Sequence, residues 1–598
     1  MDKYEFYVGK EMAAYEYLGA HLVEGGCVFR TFAPAASGVT VIGDFNDWND
    51  TAMERAYDGH FWECFIPGTK QGMLYKYRIY LQNGGCVEHC DPYGFGMELR
   101  PQFASVIRDM YRYQFHDQAW MKQRSDGRDK PVNIYELHAG SWKREEGREG
   151  WHTYDELAEL LIPYLKEHGY NYIELLPIME HPCDNSWGYQ VSGFYSPTSR
   201  YGTADQLKQM VDRLHQNGIG VILDFVPVHF AVDSYGLADY DGSTLYEYPH
   251  VDVGASEWGS KNFNHSRGEV RSFLQSCAVY WMKEYHMDGL RVDAISNMIY
   301  WQGDSRRGVN HNAVDFLRYM NQKLKEMDSS IMLIAEDSTS YPRVTRPVSE
   351  GGLGFDYKWD MGWMNDTLNY FRTAPEYRYE AYHSLTFSMM YYYEERYLCP
   401  LSHDEVVHGK ATILQKMSGD YAEKFPQARA LYLYMYTHPG KKLNFMGNEF
   451  GQLREWDEAR EQDWNLLGYP IHQGFEHFMK RLNRIYLENP AFYEKDYDRD
   501  GFYWVECSQN PQLVYAFERM GGGKRFLAVF HFSPEQCNYT LRISDAERLK
   551  LWLATDDVYF GGNHAYEGDT WYDVSEGQVE ILLSGYSGYL FLIEKRIT

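Results

Sequence analysis

The sequence predicts a central (β/α)8 TIM barrel flanked by N-terminal and C-terminal all-β sandwich domains. Three observations predict it. From about residue 130, eight strand-like runs recur, mostly separated by helical patterns, which points to a barrel. The run GVILDFV (220–226) is apolar without alternation, as in parallel strands buried on both faces. Before about 112 and after about 500, short β-branched and aromatic runs are split by Gly, Pro, Asn and Asp. Periodicity alone leaves an open doubly wound sheet as the alternative.

In chain order, residues 1–112 carry CVFRTFAP (27–34), GVTVIGDF (38–45), GHFWECFIPG (59–68) and LYKYRIYLQNGG (74–85), a small sandwich. Residues 113–495 form the barrel region. VNIYELHAG (132–140) is its first strand. The helix at 152–169 follows, with Leu157, Leu160, Leu161, Tyr164 and Leu165 on one face. Thr153 and Glu156 form its capping-box pattern and Gly169 its stop. YNYIELLPI (170–178) is a strand, and 203–218 a helix capped by Thr203 and Gln206. GVILDFVPVH (220–229), the helix at 269–289 and LRVDAIS (290–296) come next. IMLIAEDS (331–338), FDYKWDMG (355–362), YLCPLSHDEV (397–406) and KKLNFMGNEFG (441–451) complete the eight. Almost forty residues separate His229 from the helix near Gly268. A loop that long is a functional segment or subdomain, read here as an excursion over the barrel mouth at about 230–267. Residues 496–598 return to β patterns: FYWVECS, LVYAFERM, KRFLAVFHF, NYTLRIS, VEILLSG and YLFLIEK.

The totals exclude some partners. With 58 Lys and Arg against 85 Asp and Glu, the net charge of −27 argues against nucleic acid or an anionic membrane. A neutral substrate fits better. Aromatics make up 17% of the chain, and a surplus at surfaces suits the flat apolar faces of sugar rings. The start, MDKYEFYVGKEMAAYEYLG, lacks an apolar signal core, and no run reaches a membrane span. Nine scattered cysteines suggest reduced thiols, hence a cytoplasmic location. Cys86 and Cys90 have no second pair to make a zinc site.

The strand ends carry an unusual polar set: Asp224 and His229, Arg291 and Asp293, Glu336 and Asp337, His403 and Asp404. In a barrel, function gathers at the carboxyl ends of strands. In DGLRVDAISN (288–297), Leu290, Val292 and Ala294 alternate with Arg291 and Asp293, so the two charges share a face. The cation would keep Asp293 ionised, whereas Glu336, without its own cation, would stay protonated. One ionised and one protonated carboxyl is the pair that glycosidic cleavage requires. The bland alternative is a salt-bridge network at a barrel rim. Look-alikes are weaker. HDEVVH spaces His403 and His408 five apart, so they miss a shared helix face, and GGLGFD does not open a helix.

With these residues in view, the chain resembles the α-amylase superfamily, and within it the 1,4-α-glucan branching enzymes of glycogen and starch synthesis. DFVPVH (224–229), GLRVDAIS (289–296), AEDS (335–338) and LSHDEV (401–406) occur in family order. The stretches 177–203, 444–456 and HDEVVHGK point to the branching subgroup. FRTFAPAA and VIGDFNDWN resemble its carbohydrate-binding module, and the C-terminal region its closing sandwich. The resemblance implies Asp293 as nucleophile, Glu336 as general acid/base and Asp404 as the third carboxylate. It implies that Arg291 fixes Asp293. It places Asp224, His229 and His403 around the donor sugar, with Tyr189 stacking on the ring. Leu453 stands where many relatives carry Trp, an outer contact.

The implied reaction is a retaining double displacement on α-glucan, with the 6-hydroxyl of a glucan chain as acceptor and no cofactor. Asp233, Asp239, Asp241 and Asp252 in the excursion read as solvated loop acids rather than calcium ligands. Trp48 and Trp62 are candidate sugar contacts, although aromatics in a small sandwich are more often core. Two rivals stay open: an α-1,4/α-1,6 glucan hydrolase of the same superfamily, and a non-catalytic glycan-binding barrel protein.

Overall fold

The computed structural model describes residues 1–145, 147–566 and 569–595. The chain divides into two compact units. One holds 1–126, 138–162 and 174–356; the other holds 127–137, 163–173 and 357–598.

Eight strands close into a barrel in sequence order. They are β1 (Asn133–Leu137), β2 (Tyr172–Leu175), β3 (Gly220–Phe225), β4 (Gly289–Val292), β5 (Met332–Ala335), β6 (Tyr357–Trp359), β7 (Tyr397–Leu401) and β8 (Lys441–Phe445). This decides against the open sheet. Every residue of β3, β4 and β5 is buried, as parallel strands covered on both faces must be. In the first unit β3 pairs parallel with β4, setting Asp224 opposite Arg291, and β4 pairs parallel with β5. In the second, β8 joins β1 and β7 in parallel.

The helices form where the apolar spacing and caps dictate. In α1 (Tyr154–His168), Thr153 N–H donates to Glu156 Oε2 at 2.8 Å, and Glu156 N–H donates to Thr153 Oγ1 at 3.3 Å. The same reciprocal box, Thr203 with Gln206, opens α2 (Ala204–Gln216). Next come α3 (Gly268–Glu284), α4 (His311–Met327), α5 (Met361–Arg372), α6 (Tyr421–Thr437) and α7 (Pro470–Glu488). Between β5 and β6 the described residues contain one 3-10 turn, Val348–Glu350.

The N-terminal sandwich pairs a four-stranded sheet (Gly19–Val23, Gly26–Phe32, Phe61–Pro67, Glu54–Ala56) with a five-stranded one built around Gly38–Gly43 and Leu74–Tyr80. Phe29 of the first meets Tyr75 of the second edge-on, ring centroids 5.0 Å apart. Trp62 is core: its Nε1 donates to Ala33 O at 3.0 Å, under the Arg55 guanidinium. Trp48 is exposed. The C-terminal sandwich has a six-stranded and a two-stranded sheet around Leu527, Val529, Ile581 and Phe591. One of its strands, Arg548–Ala554, was not expected from sequence.

The excursion after β3 is an ordered piece of the first unit. His229–Phe230 pairs antiparallel with Lys261–Asn262. Asp241 corrects the reading of its acids as solvated. It is buried, accepting from Ala35 N–H at 2.7 Å and from Ser243. A carboxylate can be buried there because backbone and hydroxyl donors replace its water. Asp252 is exposed, 3.4 Å from Arg307.

Candidate active site

In the first unit, the site is built around one buried guanidinium. Arg291 lies in β4, facing Asp224 across the β3–β4 register. Its Nη1 donates to both oxygens of Asp224, at 2.7 and 2.8 Å, and to Asp293 Oδ1 at 2.7 Å. Its Nη2 lies 3.7 Å from Glu336 Oε2. Burial opposes the Arg291 charge. The surrounding anions, Asp224 foremost, overcome that cost and hold its pKa well above the ordinary arginine value. The expectation of a Glu336 without its own cation is therefore corrected: it shares Arg291 with Asp293.

The strand reading is corrected at one residue. β4 ends at Val292, and Ala294 does not continue the alternation. Its φ is +46°, a left-handed turn that leads into the short helix Ile295–Ile299. This turns the Ala294 N–H onto Glu336 Oε2 at 2.7 Å. Ile295 N–H donates to Glu336 O at 3.1 Å, and Glu336 N–H to Val292 O at 3.2 Å. The end of β4 and the residue after β5 are thus laced together by backbone amides.

Tyr189 comes from the loop between β2 and α2. Its hydroxyl donates to Asp224 Oδ2 and accepts from Arg291 Nη1 at 3.3 Å. His229 begins the excursion hairpin, and burial lowers its pKa to about 4, so it is neutral at pH 7. Among the described residues its Nδ1 has no hydrogen-bond partner, a buried polar atom still open to a ligand. Asp337 serves the turn instead, accepting from Thr339 N–H at 2.9 Å.

In the second unit, His403 and Asp404 follow β7 in a 3-10 turn. His403 Nδ1 lies 2.5 Å from Glu136 Oε1, and its N–H donates to Glu136 Oε2 at 2.8 Å. The carboxylate fixes the ring and leaves Nε2 facing Asp404 Oδ1 at 3.4 Å. Asp404 is the most open of the three proposed catalytic carboxylates, its side chain 43% exposed against 13% for Asp293 and 15% for Glu336. Glu136 was missed in the sequence. The available signal was an acid inside the apolar strand NIYEL.

Glu145, His152 and Glu156 form the group of described residues whose ligand atoms lie within 4.8 Å of one another. It is partly exposed and includes the α1 cap, so it fits a capping role rather than a metal centre. Among the described residues, no helix is long and apolar enough to cross a membrane.

Comparison with known proteins places this geometry in a family. Residues 17–94 match carbohydrate-binding module 48 (isoamylase N-terminal domain). Residues 157–243 and 255–510 match the alpha amylase catalytic domain, and 504–593 the alpha amylase C-terminal all-beta domain. The 1,4-alpha-glucan branching enzyme GlgB of Geobacillus stearothermophilus is 45% identical over 579 residues, 94% of this chain and 90% of that one. Its counterpart in Fusobacterium nucleatum subsp. nucleatum is 46% identical over 576 residues, covering 94% and 93%. Among solved structures, a pullulanase complexed with maltotetraose from Anoxybacillus sp. LM18-11 shares the fold at TM-score 0.76. It is 16% identical, covering 99% of this chain and 89% of that one. The chain belongs to the 1,4-α-glucan branching enzyme family of the α-amylase superfamily.

Proposed function

We propose that the chain cleaves an α-1,4 bond in a glucan with retention and transfers the freed chain to a 6-hydroxyl, making an α-1,6 branch. The Arg291 hub, which orients Asp293 and holds Glu336 beside it, supports the cleavage, and the similarity to branching enzymes supports the transfer. Asp293 attacks the anomeric carbon while Glu336 gives its proton to the leaving oxygen. The covalent glucosyl ester is then opened by the 6-hydroxyl of an acceptor chain, whose proton returns to Glu336. Asp404 grips the sugar hydroxyls and meets the positive charge of the oxocarbenium-like transition state. Neutral His229 offers its open nitrogen to a hydroxyl, and Asp224, Tyr189 and His403 line the donor subsite.

Residues 1–112 are assigned as a glucan-binding module, 113–495 as the catalytic barrel and 496–598 as the closing sandwich. The substrates are amylose, amylopectin or glycogen. Incubation with amylose tests the reading. Iodine colour should fall with almost no new reducing ends, and α-1,6 links should appear. Reducing ends rising in step with colour loss would instead mean hydrolysis. Asp293→Ala should abolish both signals.

A further inference from the structure

The tip of the excursion holds an indole that the reaction has not used. Trp258 sits in the turn Ser256–Ser260, which is closed on itself. Ser256 Oγ lies 2.5 Å from Ser260 Oγ and accepts from the N–H groups of Trp258 and Ser260. A lone exposed aromatic needs no explanation. This one differs in what braces it. Gln190, next to Tyr189, donates Nε2 to Trp258 O at 2.9 Å. The Trp258 ring packs on His229, with centroids 5.2 Å apart and planes tilted 41°. Glu257 accepts from Asn297, in the short helix after Asp293, at 3.4 Å. Behind the turn, Gln302 Nε2 donates to Asp252 O and Ala255 O at 2.9 and 2.8 Å.

The three segments carrying Tyr189, His229 and Asp293 therefore all hold one turn, and Trp258 remains 44% exposed. Part of the ring is covered by His229. The residue stays partly exposed, and the histidine it packs on has a buried, unpartnered Nδ1. A flat apolar surface next to an open polar atom matches a pyranose, which has an apolar face and a hydroxyl edge. Fixing the ring in advance removes the cost of ordering it on binding.

We propose that Trp258 is a glucan platform outside the reacting subsite, stacking on a glucose residue of the bound α-1,4 chain. This rests on the glucan reading of the site. Maltoheptaose is the probe, and its dissociation constant is measured by titration calorimetry on the full chain carrying Glu336→Gln, so that binding is read without turnover. Adding Trp258→Ala or Trp258→Leu should weaken binding about tenfold, whereas Trp258→Phe, which keeps an aromatic plane, should stay within about threefold. With Glu336 intact, the Ala and Leu changes should raise KM for amylose far more than they lower kcat. The leucine variant keeps apolar bulk in case the alanine variant does not fold. Equal affinity in all variants would overturn the platform, as would a loss in Trp258→Phe as large as in Trp258→Leu. No maltoheptaose binding with Trp258 intact would instead sink the glucan reading itself.

Discussion

Arg291 is a single residue on which three carboxylates depend. Its planar fork offers separate nitrogens to Asp293 and Glu336, which an ammonium group lacks. Arg291→Lys should therefore lower kcat on amylose on the order of 10^2- to 10^3-fold and lower Tm, measured by branching assay and calorimetry. An unchanged kcat would mean that the fork is structural only. Glu336→Gln should cost about 10^2- to 10^4-fold. The deficit should shrink with an α-glucosyl fluoride donor, whose leaving group needs no proton; an equal loss on both donors would reject the acid role. Arg291 and Asp293 were legible because a strand's period of two puts them on one face. Ala294 was not, because nothing in DAIS announces a left-handed residue after Asp293. Glu136 was hidden for another reason: its partner His403 lies 267 residues away.

Among elements, the loop between β2 and α2 illustrates how backbone shape reaches the chemistry. Gly188 adopts φ +93°, and a Cβ there would stand 2.1 Å from Pro177 O. Its neighbour is Tyr189, whose hydroxyl meets Asp224 and Arg291. Gly188→Ala should displace that loop and lower kcat/KM about ten- to a hundredfold, with a much smaller change in Tm. A kcat/KM at the parent level would show that Tyr189 does not need this backbone. The eight barrel strands and both capping boxes were readable, since apolar runs and short-range caps are local signals. The strand Arg548–Ala554 was not. The run DAERLKL (545–551), which spans its start, is rich in helix formers, and pairing with Ser587–Glu594 overrides that preference.

For the whole molecule, one buried charge cluster sets a pH window. At the amino ends of β3 and β4, His215 Nδ1 lies 2.7 Å from Asp117 and Nε2 2.8 Å from Asp288. Asp288 also accepts from Val221 N–H in β3. Burial opposes the imidazolium, but Asp288 and Asp117 prevail and raise its pKa to about 9. The folded value lies above the unfolded one, so this stabilisation is full below about pH 6.5 and fades as pH rises through about 9. Tm should fall between pH 7 and 9.5, and His215→Gln should flatten that decline; parallel curves for the two proteins would exclude the cluster as its source. The succession of sandwich, barrel and sandwich was legible in rhythm and composition. The burial of Asp241 was not, because its donor, Ala35 N–H, lies in the N-terminal module, 206 residues away.

The amide lacing between β4 and the end of β5 has a consequence for how the catalyst tolerates motion. In the proposed mechanism Asp293 and Glu336 are the two carboxyl groups whose separation decides whether a glycosidase retains or inverts. Here the side chain of one is hydrogen-bonded to the peptide that follows the other, and main-chain bonds tie their strands on either side. The spacing is thereby held by the main chain as well as by the Arg291 side chain. A change that moves the end of β4 is thus passed directly to Glu336, so the proposed nucleophile and acid share one main-chain support.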